Sequence, residues 1–125
     1  MNFLLTLFFL VLALEAFLSH QQGDVSGEES RMLAEKLHMN EGVLRTATHV
    51  AFFSVLSLLA VISVSTQKAR LIVAVSVAVW AFVDEWTKGF DCFPGRHFSW
   101  KDVGWNFLGW GMGIAGAVIT VFAAA

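Results

Sequence analysis

The sequence predicts an all-α membrane protein of four transmembrane helices, with a polar turn between the third and the fourth. Three observations lead there. The chain is 57% hydrophobic and only 14% charged, against roughly 45–50% and about 25% in an average soluble domain. Its apolar residues fall into four long runs, and its ionisable residues gather in the connections and at one end of those runs. The 125 residues suffice for one domain and not for two, so residues 1–125 are read as a single transmembrane domain.

The first run, Asn2–Ser19, is broken only by Glu15. At a rise of about 1.5 Å per residue it roughly spans a ~30 Å hydrocarbon core. A secretory signal peptide is the competing reading. No Lys or Arg precedes the run, and Leu14-Glu15-Ala16 is a poor small-residue cleavage site, so a retained helix is expected. Residues 20–42 are polar, with Ser26 or Ser30 placed to cap a short helix. Met32, Leu33, Leu37 and Met39 would give that helix a thin apolar stripe, which suits a helix lying on a membrane surface and a solvated loop helix equally. The second run is Val43–Thr66. The third is Ala69–Trp86, with its helix expected to run on to residue 90, and the fourth covers Val103–Ala123.

Gln67-Lys68-Ala69-Arg70 reads as a short basic turn between the second and third runs. The connection Thr87–Asp102 holds Lys88, Asp91, Arg96, His97, Lys101 and the only proline, Pro94. Within it Phe93-Pro94-Gly95-Arg96-His97 is a tight-turn sequence that would aim Arg96 back at the helix ends. These connections are too polar to lie in hydrocarbon unless protein shields them. Basic residues in short loops mark the cytoplasmic side, so Lys68 and Arg70 put both termini inside. Arg31, Lys36, Lys88, Arg96 and Lys101 then lie outside and oppose this by raw count, unless their acidic neighbours offset them. The localisation expected is a multi-pass protein of the cell membrane.

Several functions are excluded. A net charge of −2 with no basic stripe argues against a nucleic-acid partner. Cys92 is the only cysteine, and no Cys/His cluster with metal-ligand spacing exists, so no disulfide, metal or cofactor is expected.

The chemistry lies in the charges that approach the membrane, because each costs about 2.5–3.5 kcal/mol on insertion scales and so normally faces the bundle interior and pairs. Arg45 and His49 are four apart and share a helix face, as do Asp84 and Lys88, with Glu85 beside them. Asp102 and Asn106 share a face that Gly109 and Gly113 continue. In the predicted topology all of these, with Glu15, reach one layer. One reading is a charge-paired plug in which Asp84, Glu85 and Asp102 neutralise Arg45, Lys88 and Arg96. The other is a pocket for a polar headgroup, with Arg45, His49, Asp84, Glu85, Lys88, Arg96, Asp102 and Asn106 binding the ligand and Arg96 suited to a bidentate carboxylate or phosphate contact. The two are compatible. His49 with Asp84 or Glu85 would be the candidate acid–base set of an enzyme, although no nucleophile motif accompanies it. Gly109, Gly113 and Ala117 form a small-residue face for close helix approach, either within the chain or between subunits. Trp100, Trp105 and Trp110 would mark the membrane interface.

Asp84-Glu85-Trp86, Phe93-Pro94-Gly95-Arg96, Asp102-Val103, Asn106, Gly109 and Gly113 together resemble the signature of the VanZ-like membrane protein family. His49 near Arg45 fits it too, as does, more weakly, the stretch Leu18-Ser19-His20-Gln21 with Ser26. The resemblance covers essentially the whole chain, its specific part being residues 84–113. Two departures stand out: Lys88 occupies a position where many members have Gln, and the interval from Asp84 to Arg96 is about two residues longer than in the common form. The resemblance implies a cell-envelope scaffold whose namesake is associated with low-level teicoplanin resistance. It suggests a non-enzymatic protein that lowers teicoplanin susceptibility by binding a lipid-linked cell-wall precursor or the lipoglycopeptide itself at the outer leaflet, with membrane lipid as the standing partner. The alternatives are an intramembrane enzyme acting on a lipid or cell-wall precursor, and a small transporter or assembly partner that oligomerises through Gly109 and Gly113. Mainly Ser and Thr, such as Ser57, Ser63, Ser65 and Ser76, occupy the inner halves of the runs, which counts against an ion path.

Overall fold

The structure is a computed structural model that describes residues 2–21, 23–90, 92 and 95–125. Every regular element among these residues is an α-helix: α1 (Phe3–Ser19), α2 (Gly23–Leu37), α3 (Glu41–Ile62), α4 (Gln67–Thr87) and α5 (Trp100–Ala124). Two of them, α3 and α5, are long and apolar enough to cross a membrane, and α1 is a shorter apolar helix. The fifth helix among the described residues, α2, is the short helix expected in the polar segment 20–42.

Helix starts are set by short polar side chains that accept from the free amides of the first turn. Asn2 accepts from the Leu4 amide at 3.0 Å, Asn40 from Gly42 at 2.8 Å, Thr66 from Ala69 at 3.2 Å and Ser99 from Asp102 at 3.3 Å. These caps move the expected boundaries. The Thr66 cap draws Lys68 and Arg70 into the first turn of α4, so the connection after α3 is Ser63–Thr66 and not the basic tetrapeptide. The Ser99 cap starts α5 three residues earlier than the apolar run. At the far end of α4 the Gly89 amide donates to the Trp86 carbonyl at 3.2 Å and Phe90 to Thr87 at 3.1 Å. This tightened last turn stops the helix at Thr87, short of Phe90.

Neither Ser26 nor Ser30 caps α2, since the helix already begins at Gly23 and both lie within it; the side chain of Ser26 is outside the described residues. The helix ends on His38, at φ 54°. There the Met39 amide donates to Ala34 at 2.9 Å and the His38 amide to Glu35 at 3.2 Å, the paired bonds of a Schellman C-terminus.

α3 is the hub, packing on α1, α2, α4 and α5, while α4 also packs on α5. Phe53, Leu56 and Ala60 of α3 form the core with Val77 and Ala81 of α4. The closest pair is α3 with α5. A Cβ on Gly109 would lie 2.9 Å from the Val50 Cα, and one on Gly113 would collide with Ser57 Oγ and the Ser54 carbonyl. Ser54 Oγ donates to the Gly109 carbonyl at 3.0 Å and Ser57 Oγ to the Trp110 carbonyl at 3.0 Å, so α3 hydroxyls reach the α5 backbone that the missing side chains expose. α3 of the same chain therefore covers the Gly109–Gly113–Ala117 face. α1 and α4 both lean on α3, but their backbones barely approach each other.

Candidate functional site

Apart from Lys68 and Arg70, the charged residues of α1, α3, α4 and α5 lie where α1 and α4 end and α3 and α5 begin. Glu15, Asp84, Glu85, Lys88, Asp102 and Asn106 are all buried there. Helical periodicity accounts for each pair: Arg45 and His49 on α3, Asp84 and Lys88 at the end of α4, and Asp102 and Asn106 on α5 sit one turn apart; all but Arg45 turn inward, the Arg45 side chain being largely exposed.

Between α3 and α5, Arg45 donates to Asp102 Oδ2 at 2.6 Å. His49 Nδ1 is 2.6 Å from Asn106 Oδ1, and its Nε2 is 3.6 Å from Asp102 Oδ2. Asn106 Nδ2 donates to the Ala81 carbonyl of α4 at 3.0 Å. Within α4, Lys88 Nζ donates to Glu85 Oε2 at 2.7 Å and stands 3.5 Å from Asp84 Oδ2. Between α4 and α1, the Ser19 hydroxyl donates to Asp84 Oδ1, His20 Nε2 lies 2.7 Å from Thr87 Oγ1, and Trp80 Nε1 donates to Glu15 Oε2 at 2.9 Å. His20 Nδ1 stands 3.7 Å from Asp84 Oδ1. A carboxylate oxygen of Glu85 also comes within 4.8 Å of donor atoms of His49 and Asp102, which links the α3–α5 contacts to those of α4.

The eight residues expected to bind a ligand thus lie in or beside one layer, but several of their partners differ from expectation. Arg96 was expected to meet Asp84, Glu85 or Asp102. It caps α1 instead, donating to the Ser19 carbonyl at 2.6 and 3.0 Å and to the Leu18 carbonyl at 3.0 Å. The last carbonyls of a helix lack intrahelical donors and carry the negative end of its dipole, so a guanidinium is a natural partner. Partial burial and the nearby Arg45 lower the Arg96 pKa from its ordinary value, against the pull of Glu85, Asp84 and Asp102. A guanidinium remains charged all the same.

His49 takes Asn106 as its hydrogen-bond partner in place of Asp84 or Glu85, so the expected acid–base pairing is not formed. Lys88 is 5% exposed and pairs with Glu85 and Asp84, as the charge-paired plug requires and not as a ligand-facing cation. Trp110 donates to the Ala74 carbonyl of α4 at 2.9 Å, which makes it a helix-to-helix tie, whereas Trp100 is exposed. Phe93 and Pro94 of the expected turn, and Asp91, lie outside the described residues. Gly95 has φ 74°, the left-handed backbone that such a turn needs from glycine.

Sequence reasoning missed Ser19, His20, Trp80, Ala81 and Thr87 as members of the layer. A signal for Ser19 was present, since it stands one helical turn beyond Glu15 on the same face. Trp80 likewise stands one turn before Asp84 and Thr87 about one turn after it. The Ala81 contribution is a backbone carbonyl, which no side-chain pattern reveals.

Beside the layer, α1 and α4 enclose an apolar groove of about 580 Å³. Phe8, Leu12 and Ala13 line one wall and Val73 and Trp80 the other, with Leu56 of α3 also lining it. Trp80 belongs to both features, its ring to the groove and its indole N–H to Glu15.

Comparison with protein-family models, with curated proteins and with solved structures returned no match.

Proposed function

We propose that this chain is a multi-pass membrane protein that holds a lipid-linked molecule, with its acyl part in the α1–α4 groove and its headgroup at the polar layer. The observation that carries this reading is the continuity between the two: an apolar groove ends at Trp80 and Glu15, where a buried polar layer begins. Four spans, α1, α3, α4 and α5, fit the exposed surface. Phe3, Leu10, Leu71, Val79, Ile119 and Phe122 are each more than half exposed, and only 17% of the most apolar stretch of α5 is buried. A core helix of a soluble protein would be mostly covered. α4 carries Lys68 and Arg70 at one end and Asp84 and Glu85 at the other, so its uncharged middle crosses about 20 Å, and its acidic end is sheltered by α1, α3 and α5. α2, with Met32, Leu33 and Leu37 each close to half exposed, suits the membrane surface at the polar end. Lys68 and Arg70 favour a cytoplasmic position for the opposite end, against the raw count of Arg31, Lys36, Lys88, Arg96 and Lys101, and on that orientation the layer faces the outer leaflet.

On this reading the resemblance to the VanZ-like family takes physical form as capture of a lipid-linked cell-wall precursor, or of the lipid anchor of teicoplanin. The cationic side chain open to such a headgroup is Arg45, whose side chain is 60% exposed, and not Lys88 or Arg96.

The test is to fill the groove. Ala13→Trp adds bulk at the wall while leaving the polar layer intact. Native mass spectrometry of the purified protein should show bound lipid in the parent and its loss in Ala13→Trp, and an expressing host should lose any teicoplanin protection with it. Lipid retained at parental level in a folded Ala13→Trp protein would sink the proposal.

A further inference from the structure

We infer that His49, Glu85 and Asp102 form a site for one divalent transition-metal ion, of the Zn²⁺ or Mn²⁺ class. The inference does not depend on the lipid reading. Each residue offers one donor atom, and the three atoms lie within 4.8 Å of one another. They come from α3, α4 and α5, so no spacing along the chain could announce them.

The hydrogen-bond network prepares His49 for this role. The Ala81 carbonyl can only accept, so the Asn106 group 3.0 Å from it must be the amide nitrogen. That turns Asn106 Oδ1 towards His49, and an amide oxygen can only accept, so His49 Nδ1 carries the proton across their 2.6 Å contact. A neutral imidazole then has its lone pair on Nε2, which faces Asp102 Oδ2 at 3.6 Å. Arg45 already donates to that Oδ2 at 2.6 Å, and a cation on the Nε2 side would take up the imidazole lone pair as well. Protonation of Nε2 would also supply positive charge, but a charge-assisted N–H···O⁻ bond closes to about 2.7–2.9 Å. The 3.6 Å separation instead matches two ligands of one tetrahedral metal ion, which lie roughly 3.3–3.6 Å apart when each bond is about 2.0–2.2 Å. A ligand His whose other nitrogen donates to a fixed oxygen is the usual arrangement at protein metal centres.

Glu85 supplies the second, independent observation. Its side chain is completely buried, Lys88 occupies Oε2, and Oε1 has no hydrogen-bond partner among the described residues. A buried carboxylate oxygen left bare is costly, and coordination would satisfy it. Among the described residues Asp84 and Glu85 share Lys88, and Asp102 pairs with Arg45. One His nitrogen and two carboxylates leave a coordination position for water, as in open zinc sites.

The experiment uses the full-length protein in detergent, stripped with a chelator and titrated with Co²⁺, whose visible d–d bands report a protein-bound low-coordinate ion. One equivalent of Co²⁺ should develop the bands, and Zn²⁺ should displace it. His49→Gln and Glu85→Gln should abolish the bands, whereas His97→Ala, at an exposed histidine outside the layer, should keep them. Asn106→Ala should retain the bands but weaken binding by about 10–100-fold, as expected of a residue that only orients a ligand. If the glutamine variants do not fold, the wild-type titration decides, since absence of the bands at one equivalent overturns the site. Bands that persist unchanged in a folded His49→Gln protein also overturn it. So does a ¹⁵N spectrum of the metal-treated protein showing His49 protonated on both nitrogens.

Discussion

The α3–α5 seam and the α1–α4 side of the bundle solve the same problem in opposite ways. In the seam, Gly109 and Gly113 remove side chains so completely that Ser54 and Ser57 reach the backbone of the neighbouring helix. On the other side Phe8, Phe9, Leu12 and Trp80 keep α1 and α4 apart, leaving an apolar groove. There the two helices are joined mainly at one end, through Ser19 to Asp84, Trp80 to Glu15 and His20 to Thr87. Lipid tails are as apolar as Leu, so burying apolar surface gives helices in a membrane little reason to associate. Close backbone packing and interhelical hydrogen bonds remain as the adhesives. The seam uses both, whereas the α1–α4 side has only the second, which makes it the side able to open.

That contrast can be broken in graded steps. The largest effect is expected from Lys88→Met, which leaves Glu85 and Asp84 buried without their cation and should cost about 3–5 kcal/mol. Unfolding of the purified protein in a mixed-micelle denaturant series would measure it, and a loss under about 1 kcal/mol would mean that the layer is solvated. Next comes Gly113→Ala, which drives a methyl into Ser57 and the Ser54 carbonyl and should cost about 1–3 kcal/mol. Its control is Gly111→Ala, where an added Cβ meets nothing within 4 Å. Replacing glycine in a helix interior there should be neutral or stabilise by up to about 1 kcal/mol. Equal losses at the two glycines would dissolve the distinction drawn for the seam.

On the α1–α4 side, Trp80→Phe keeps the groove wall but strips Glu15 of its indole donor, at an expected cost of about 1–3 kcal/mol. Crosslinking between cysteines placed at Ala13 and Val73 should report wider excursions in that variant, with the α3–α5 seam unmoved. The smallest effect is expected from Thr66→Ala, which removes the α4 cap for about 1 kcal/mol and should leave both sides of the comparison intact. A change in the groove on loss of that cap would show that the opening is governed from the opposite end of the bundle.

Much of this was legible in advance where the code is local. Arg45 with His49, Asp84 with Lys88 and Asp102 with Asn106 follow from a period of 3.6 residues, and the cost of charge in an apolar run says that such faces turn inward. Boundaries were less legible, because Thr66, Ser99 and Asn40 act through single capping bonds that hydrophobic runs do not show. Partner choice was least legible. Arg96 was assigned to a carboxylate because opposite charges attract, yet the end of α1 offered two carbonyls, of Leu18 and Ser19, within reach.

What the sequence by itself determined is the set of helices, their inward faces and the grouping of ionisable residues at one end, because each depends only on neighbours within a turn or two. The tertiary structure decided which charge meets which. It also decided that the glycine face is consumed inside the chain, and that His49, Glu85 and Asp102 converge from three helices. Those outcomes rest on backbone separations between α1, α3, α4 and α5. Such distances arise from the packing of the whole bundle, and no local stretch of sequence contains them.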